Sequence, residues 1–298
     1  MRKQVAVTGA SGLLGRAVAT YFEQHGDEVL HLTFSRTDKH SNYLKLDFTD
    51  KEAVGRFFAS HHIDGAAERR PDVAEANPEL VKKLNVQSPL LLATFAKKYG
   101  FTLIVISTDY VFNGENPPYE TDSPTDPLNA YGQSKVDAEQ AVLTQREEGA
   151  KVTVLRVPIL YGRTEYNAES AVNIIRDVVE DQSGKQYKMD HVQRRYPTNV
   201  DAVARVLFDL THLGKPLPFI VHYCSPSPAL SKWDMTQIIA RHLHLPISHI
   251  TPETVVPPGA TSRPQDAQLS TRSLHDIGVD VGEEMSFDDW WREYVQAS

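Results

Sequence analysis

The opening segment of the chain constrains its fold more than any other part. Residues 4–8 (Q-V-A-V-T) form the apolar run of a buried strand, residues 9–15 (G-A-S-G-L-L-G) a glycine-rich turn, and residues 13–25 carry apolar side chains at helical spacing. Glycines in such a turn let the backbone approach a diphosphate, and the helix N-terminus supplies amide donors at the positive end of its dipole. A tight turn without a ligand is the alternative, but the strand before it and the helix after it favour a dinucleotide site.

The strand–helix alternation continues through the first half of the chain. Strands are predicted at residues 29–34, 44–46, 103–107 and 152–157, and helices at residues 51–60, 78–99 and 129–145. Strands that alternate with helices of this length indicate βαβ units and a parallel sheet. The pattern predicts an α/β protein with a Rossmann-type doubly wound parallel sheet and a smaller C-terminal α/β lobe.

After residue 162 the pattern loosens. Predicted elements there are helices at 169–181, 201–213 and 233–243, a strand at 219–223, and a proline-rich loop at 251–264. We therefore predict a dinucleotide-binding domain over residues 1–162, to which residues 195–223 return. Residues 163–194 and 224–298 form the smaller lobe in this prediction.

Composition excludes several classes of protein. The net charge of −8 disfavours nucleic acid or an anionic membrane as the main partner. A single cysteine, Cys224, excludes a disulfide framework and a cysteine-built zinc site. His61 and His62 are adjacent, so their side chains diverge, and with no third ligand apparent we predict no metal site. No apolar run approaches the roughly 20 residues of a membrane span, and residue 4 already begins a strand, so we expect a cytoplasmic protein.

The end of the second strand bears on the choice between NAD and NADP. It reads Phe34-Ser35-Arg36 and lacks the acidic residue that would bind a ribose 2′-hydroxyl. The planar fork of Arg36 can instead bind a 2′-phosphate, although a solvated loop arginine is the alternative. The sequence favours NADP over NAD.

A candidate catalytic group follows the strand at 103–107. Tyr131 and Lys135 form a Y-x-x-x-K pair, and positions i and i+4 of a helix share one face. A nearby ammonium lowers the pKa of a phenol, so Tyr131 could donate or accept a proton. Ser107 and Thr108 compete to bind a substrate carbonyl at the strand end, and we favour Thr108.

These motifs resemble known families. The G-x-x-G-x-x-G spacing is similar to that of short-chain dehydrogenases, in which Asp47 and Phe48 match the position that flanks adenine. Residues 107–112 (S-T-D-Y-V-F) and 127–135 (P-L-N-A-Y-G-Q-S-K) resemble the dTDP-4-dehydrorhamnose reductase branch. That resemblance implies hydride transfer from NAD(P)H to C4 of a nucleotide-linked keto sugar. By this resemblance Tyr131 would protonate the forming alkoxide, Lys135 would hold the ribose, and Thr108 would orient the carbonyl.

A second resemblance covers nearly the whole chain. Residues 66–73 (A-A-E-R-R-P-D-V), 157–162 (V-P-I-L-Y-G), 169–172 (E-S-A-V) and 195–198 (R-Y-P-T) resemble the regulatory beta subunit of methionine adenosyltransferase. It implies a reductase fold that binds NADP and a role in binding and modulating the catalytic subunit. The cofactor contacts that it implies, completed with the turn glycines, the ribose lysine and the residue before A-A-E-R-R-P-D-V, are Gly9, Ser11, Gly12, Leu13, Leu14, Gly15, Phe34, Ser35, Arg36, Asp47, Phe48, Gly65, Arg69, Tyr131, Lys135 and Leu160.

Two features leave alternatives open. The C-terminal Trp290-Trp291-Arg292 is similar to the regulatory family's docking tail, but aromatic residues at helical spacing are also typical of a helix packed on its own lobe. Residues 60–65 (S-H-H-I-D-G) precede A-A-E-R-R-P-D-V where a buried fourth strand is required, yet only Ile63 is strongly apolar. Either neighbouring residues form a shortened strand, or the sequence carries a processing or gene-model irregularity.

Two functions remain in competition. One is an NADP-holding regulatory subunit that binds the catalytic subunit of methionine adenosyltransferase. The other is an NADPH-dependent reductase of a 4-keto nucleotide sugar, so whether the chain is an enzyme stays open at this point.

Overall fold

A seven-stranded parallel sheet forms the centre of the molecule in the computed structural model, which describes residues 2–34, 42–68 and 83–297. Its order is β10-β6-β5-β4-β1-β2-β3. The strands of this sheet are β1 (Gln4–Thr8), β2 (Glu28–Thr33), β3 (Tyr43–Lys45), β4 (Gly65–Glu68), β5 (Thr102–Thr108), β6 (Val152–Val157) and β10 (Ile220–His222). The order reverses between β1 and β4, which is the switch point of a doubly wound sheet. The predicted fold class is confirmed.

Helices cover both faces of this sheet, and a few lie in the C-terminal part of the chain. The α-helices of the described residues are α1 (Leu13–Gln24), α2 (Lys51–Ser60), α3 (Ser88–Tyr99), α4 (Ala130–Glu147), α5 (Ile174–Glu180), α6 (Val200–His212), α7 (Lys232–Leu243), α8 (Arg272–His275) and α9 (Phe287–Gln296). A π-helical turn, Lys83–Gln87, leads into α3. None of these helices is long and apolar enough to cross a membrane.

Side chains of one strand alternate between two cores. On β5, Ile104 and Ile106 pack with α1 and α6, whereas Leu103 and Val105 pack with α2 and α3. A parallel strand covered on both faces must be apolar on both, which explains the continuous run L-I-V-I in this segment.

The fourth strand forms from the residues that follow the polar segment. Gly65–Glu68 pairs in parallel with β1 on one side and β5 on the other. Ile63, the one strongly apolar residue before it, is buried in the core beneath α2. The chain therefore uses a shortened strand, because two neighbouring strands supply its ladder partners whatever its own side chains are.

Two smaller sheets and a third core organise the rest of the chain. Their strands are β7 (Leu160–Tyr161), β8 (Tyr187–Asp190), β9 (Thr198–Asn199) and β11 (Ile250–Glu253), paired as β7–β9 and β8–β11. The third core, which we call the lobe core, gathers Val172, Ile175, Met235, Phe287 and Trp291 with their apolar neighbours.

Two local predictions were wrong. Residues 251–253 were expected to begin a loop but belong to β11. Its partner β8 lies far away in sequence, so the local proline-rich composition did not reveal the strand. The helix expected over 169–181 begins only at Ile174, after a short 3₁₀ turn at Asn167–Glu169.

The final helix packs on its own chain. Trp291 is fully buried, Trp290 is 8 % exposed, and both belong to the lobe core. Of the two interpretations of the aromatic tail, the internal amphipathic helix is confirmed for the tryptophans, while Arg292 lies exposed on the same helix.

Candidate functional site

The glycine-rich turn connects β1 to α1 at the switch point. Gly9 has a φ of +62°, which favours glycine, and its carbonyl accepts a hydrogen bond of 2.9 Å from the Gly12 amide. A Cβ at residue 15 would lie 2.2 Å from the Gly9 oxygen, so Gly15 is required for α1 to pack against the turn. These are the constraints expected of a turn that brings backbone amides close to a ligand.

The N-terminus of α1 has no side-chain cap. Gly12 occupies the N-cap position, and the first turn of the helix contains no acidic residue. Its amides point out from the carboxyl edge of the sheet, where they and the helix dipole suit a diphosphate. The residues present therefore fit the diphosphate of a dinucleotide.

The residues predicted to flank the adenosine half lie beyond β2 and β3. Phe34 follows β2 and is 58 % exposed, while Asp47 and Phe48 follow β3. Asp47 Oδ1 accepts hydrogen bonds of 2.8 and 2.7 Å from the amide and hydroxyl of Thr49. Three other predicted contacts, Ser35, Arg36 and Arg69, lie outside the described residues.

Tyr131 and Lys135 lie on one face of α4. The Lys135 Nζ atom is 5.9 Å from the centroid of the Tyr131 ring, and both side chains are partly buried. Asn129 caps this helix by accepting a 2.9 Å hydrogen bond from the Gly132 amide. The arrangement places an ammonium beside a phenol, as the Y-x-x-x-K spacing predicted, and the catalytic role of the pair stays a prediction.

Thr108 ends β5 and caps the 3₁₀ turn Asp109–Val111. Its hydroxyl donates a 3.0 Å hydrogen bond to Asp109 Oδ1 and accepts one of 3.3 Å from the Tyr110 amide. Burial raises the pKa of the Asp109 carboxyl to about 6. Ser107 is also buried, and its Oγ has no hydrogen-bond partner in the described part of the chain. The competition between Ser107 and Thr108 for a carbonyl therefore stays open.

Gly65 and Leu160 differ in how they lie relative to the turn, and only Leu160 shares a buried core with Leu13 and Leu14. Gly65 pairs with Val5 at the amino end of β4, whereas the turn follows the carboxyl end of β1, so Gly65 is not brought to the cofactor edge. The residue of β4 at that edge is Glu68. Leu160 is buried in β7 and pairs with Thr198 of β9. The strand forms downstream of the segment where it was expected, and a cofactor contact at Gly65 stays a prediction.

Tyr110 and Arg195 belong to the site and were missed as site residues. The Tyr110 ring packs edge-on against the Tyr131 ring, with centroids 5.9 Å apart. The buried Arg195 guanidinium donates hydrogen bonds to the Tyr110 hydroxyl at 3.2 Å and to Asp190 Oδ2 at 3.0 Å. Both residues stand in the quoted motifs, S-T-D-Y-V-F and R-Y-P-T, but nothing local in the sequence pairs them.

Arg195, Lys232 and Arg263 lie near one another in the C-terminal part of the chain, and we call this group the cationic wall. Burial, together with the nearby positive charges of Arg195 and Arg263, lowers the pKa of Lys232 to about 8. Through Arg195 this positive charge reaches the Tyr110 hydroxyl, where it favours an anionic group. Across residues 2–34, 42–68 and 83–297, no cluster of three or more His, Cys, Asp or Glu could hold a metal ion.

Fold and site together define a protein of the extended short-chain dehydrogenase/reductase class. A family model described as the RmlD substrate binding domain matches residues 2–295. The dTDP-4-dehydrorhamnose reductase of Bacillus anthracis, solved with NADP, aligns with a TM-score of 0.82 at 21 % identity, covering 100 % of this chain and 99 % of that one. The dTDP-glucose 4,6-dehydratase of the same organism, solved with NAD, aligns at 0.81 and 18 %, covering 99 % and 96 %. At these identities the likeness shows the fold.

Sequence relatives are more specific. Methionine adenosyltransferase 2 subunit beta of Xenopus tropicalis is 43 % identical over 281 residues, which span 93 % of this chain and 83 % of that protein. The dTDP-4-dehydrorhamnose reductase of Mycolicibacterium smegmatis is 38 % identical over 152 residues, which span 50 % of this chain and 44 % of that protein. The chain belongs to the family of methionine adenosyltransferase 2 beta subunits, within the RmlD-like branch.

Proposed function

We propose that this protein is an NADP-binding regulatory subunit of methionine adenosyltransferase, which associates with the catalytic subunit and modulates S-adenosylmethionine synthesis. The observation that carries the proposal is the extent of the relationship. Identity to the beta subunits runs through 93 % of the chain, including the smaller C-terminal part, whereas identity to the bacterial reductase covers half. A shared role in association explains why the sequence identity to the beta subunits extends from the N-terminal domain into the smaller C-terminal part.

The uncapped N-terminus of α1 supports cofactor binding. Residues Ser11 to Leu14 would contact the cofactor, with the amides of Leu13 and Leu14 at the diphosphate. Lys135 would contact the ribose, and Tyr131 would stand beside the nicotinamide. Bound NADP would supply a hydride donor or acceptor there. NADP is preferred to NAD in this proposal because Phe34-Ser35-Arg36 directly after β2 contains no acid and Arg36 can meet a 2′-phosphate.

We assign cofactor binding to residues 1–162 with 195–223, and partner binding to residues 163–194 with 224–298. The buried Trp290 and Trp291 support their own lobe, so association uses the exposed surface of that lobe, including Arg292. We expect the association in the cytoplasm.

Association is tested directly with the purified catalytic subunit. Co-migration on size exclusion at micromolar concentration, with a changed KM or kcat of the synthetase, is the expected result. Calorimetry with NADP and with NAD on the isolated chain measures cofactor preference separately. Failure to associate at micromolar concentration would contradict the regulatory role, whereas failure to bind either dinucleotide would contradict the cofactor assignment.

A second candidate function is an NADPH-dependent reductase of a 4-keto nucleotide sugar. The proximity of Lys135 to Tyr131, with Thr108 at the end of β5, favours it. In this function Tyr131 would donate the proton to the forming alkoxide while the cationic wall would attract the sugar diphosphate. Loss of NADPH absorbance with a dTDP-4-keto sugar, abolished by Tyr131→Phe, is the expected signature. If the protein bound NADPH but the NADPH absorbance stayed constant with the sugar, this candidate function would be contradicted.

A further inference from the structure

Arg16 lies one residue beyond the last glycine of the turn and connects two segments that are distant in sequence. Its Nη1 atom donates a 2.7 Å hydrogen bond to the carbonyl oxygen of Ser11, inside the turn. The same guanidinium meets both carboxylate oxygens of Glu169, at 3.0 Å through Nη1 and 2.6 Å through Nη2. We call these three contacts the Arg16–Glu169 clasp.

The clasp is shielded from solvent. The Arg16 side chain is 19 % exposed and the Glu169 side chain 5 % exposed. A bidentate contact between a guanidinium and a carboxylate is directional and stronger than a neutral hydrogen bond. Because this pair is mostly buried, solvent and salt screen it less than they screen an exposed ion pair. The clasp can therefore fix the position of the groups that it joins.

Glu169 itself belongs to a segment that leads into the lobe core. Its Oε2 atom also accepts a 2.9 Å hydrogen bond from the Glu165 amide, and it ends the 3₁₀ turn Asn167–Glu169. The next residues include Val172 and Ile175, both fully or almost fully buried in the lobe core. The clasp thus joins the diphosphate turn to the packing of the C-terminal part of the chain.

We propose that Arg16 and Glu169 are positioning residues for the diphosphate turn, and that they couple cofactor binding to residues 163–170. By holding the Ser11 carbonyl, the clasp orients the peptide units of the turn so that the amides at the start of α1 face outward together. The carboxylate of Glu169, with Glu165 Oε1 3.9 Å from Arg16 Nη1, neutralises Arg16, so the arginine acts through the turn and does not itself attract the cofactor. The inference rests on the proposed binding of NADP.

Glu169→Gln is the main test. The amide keeps the shape of the side chain and an oxygen for the Glu165 amide, but it loses the charge and one of the two acceptors for Arg16. We expect the Kd for NADP, measured by calorimetry, to rise about tenfold, as the loss of one charge-assisted hydrogen bond would suggest. Arg16→Lys, which keeps the positive charge but cannot span Ser11 and both oxygens, gives an effect of similar size, and the double variant is no worse than either single one.

Glu148→Gln is the matched control. It removes an ion pair of 3.0 Å with Lys97 that also joins two helices, but this pair is about half exposed and lies away from the turn. We expect its Kd for NADP to equal that of the wild type. Urea unfolding of all variants without cofactor separates a loss of binding from a loss of fold.

Hydrogen exchange supplies a readout that a purely structural ion pair would not change. In the wild type, addition of NADP slows exchange at residues 163–170, and this protection disappears in Glu169→Gln at saturating NADP. Equal NADP binding by wild type and Glu169→Gln, or tighter binding by the variant, overturns the clasp and leaves the proposed function standing. Absence of NADP binding by the wild type overturns both.

Discussion

The helices at the two ends of the chain, α1 and α9, differ in how their first amides are satisfied. α1 begins after Gly12, with no side-chain cap and no acidic residue in its first turn. α9 begins after Ser286, whose hydroxyl accepts from the Asp289 amide, and its first turn contains Asp288 and Asp289. Because unsatisfied amides and a positive dipole end attract anions, α1 leaves its terminus open to a ligand, whereas α9 completes its terminus with its own residues.

The difference distinguishes a functional helix from a structural one. In α1 the glycine that replaces a capping residue weakens the helix and creates an anion site. In α9 the serine cap and the two aspartates strengthen the start of the helix, and its apolar face is buried in the lobe core. Changes to α9 should therefore alter stability and leave cofactor affinity alone, while changes to the start of α1 should do the reverse.

The largest effect is expected from Trp291→Ala. The side chain is fully buried, and removal of a buried aromatic group costs about 3–5 kcal/mol of unfolding free energy because a cavity remains. Urea unfolding followed by fluorescence measures the loss, and Glu293→Gln, exposed on the same helix, is the control. A change of NADP affinity in the folded variant would break the proposed separation of the two helices.

Gly15→Ala is expected to affect both properties. A Cβ at this position would lie 2.2 Å from the Gly9 oxygen and 2.8 Å from the Ala10 Cα, so α1 must move away from the turn. We expect a loss of about 2–3 kcal/mol in unfolding free energy, as for other overpacked sites, together with loss of NADP binding in calorimetry. Gly55→Ala in α2, where a Cβ meets only the ring of Phe95, is the control and should bind NADP normally.

Gly12→Asp would give the N-terminus of α1 a side-chain cap and an acidic group, both of which α1 lacks and the start of α9 has. The new carboxylate would cap the helix and occupy the amides intended for the diphosphate. We expect the Kd for NADP to rise about 10- to 50-fold while the unfolding free energy changes by less than about 1 kcal/mol. Gly12→Ala tests the steric part alone, since its Cβ would lie 3.3 Å from the Gly9 oxygen. Equal affinities for the two variants would show that charge at this terminus is unimportant.

The same two ends show what a sequence can predict. The start of the fold was predictable because strand, turn and helix are contiguous and each glycine has a local steric reason. Contacts between distant segments were not predictable. Tyr110 and Arg195 are 85 residues apart, and only the folded chain places the guanidinium on the phenol that packs against Tyr131.

Two strands, β4 and β11, could not be predicted from their local sequence because they depend on their pairing partners. β4 forms at Gly65–Glu68 although its side chains are not those of a buried strand, because β1 and β5 supply the pairing on both sides. β11 forms in a proline-rich segment because β8 supplies a partner. In each case the cause lies in the neighbouring strand, which a local pattern cannot reveal.

The smallest expected effect concerns pH at the start of α9. The hydrogen bond from the Ser286 hydroxyl, with a further contribution from Arg292, holds the pKa of Asp289 below its ordinary value of 3.8. A group with a depressed folded-state pKa stabilises the fold above its unfolded pKa, and this contribution is lost as pH falls through the folded value. Acid below about pH 4 should therefore loosen α9, seen as a shift in the fluorescence of Trp290 and Trp291.

Asp289→Asn sharpens this last test, because the amide preserves the size of the side chain but cannot titrate. The variant should lack the part of the acid-induced fluorescence change that Asp289 causes, while the part that comes from Asp288, whose pKa is lowered by its hydrogen bonds to His242 and Arg241, should remain. The first turn of α1 has no carboxylate of its own. Asp289→Asn should therefore leave the Kd for ADP-ribose, a ligand without a 2′-phosphate, unchanged at every pH. If the substitution changed that affinity, the N-termini of α1 and α9 would be energetically coupled. The proposed independence of cofactor binding at α1 from the stability of α9 would then be wrong.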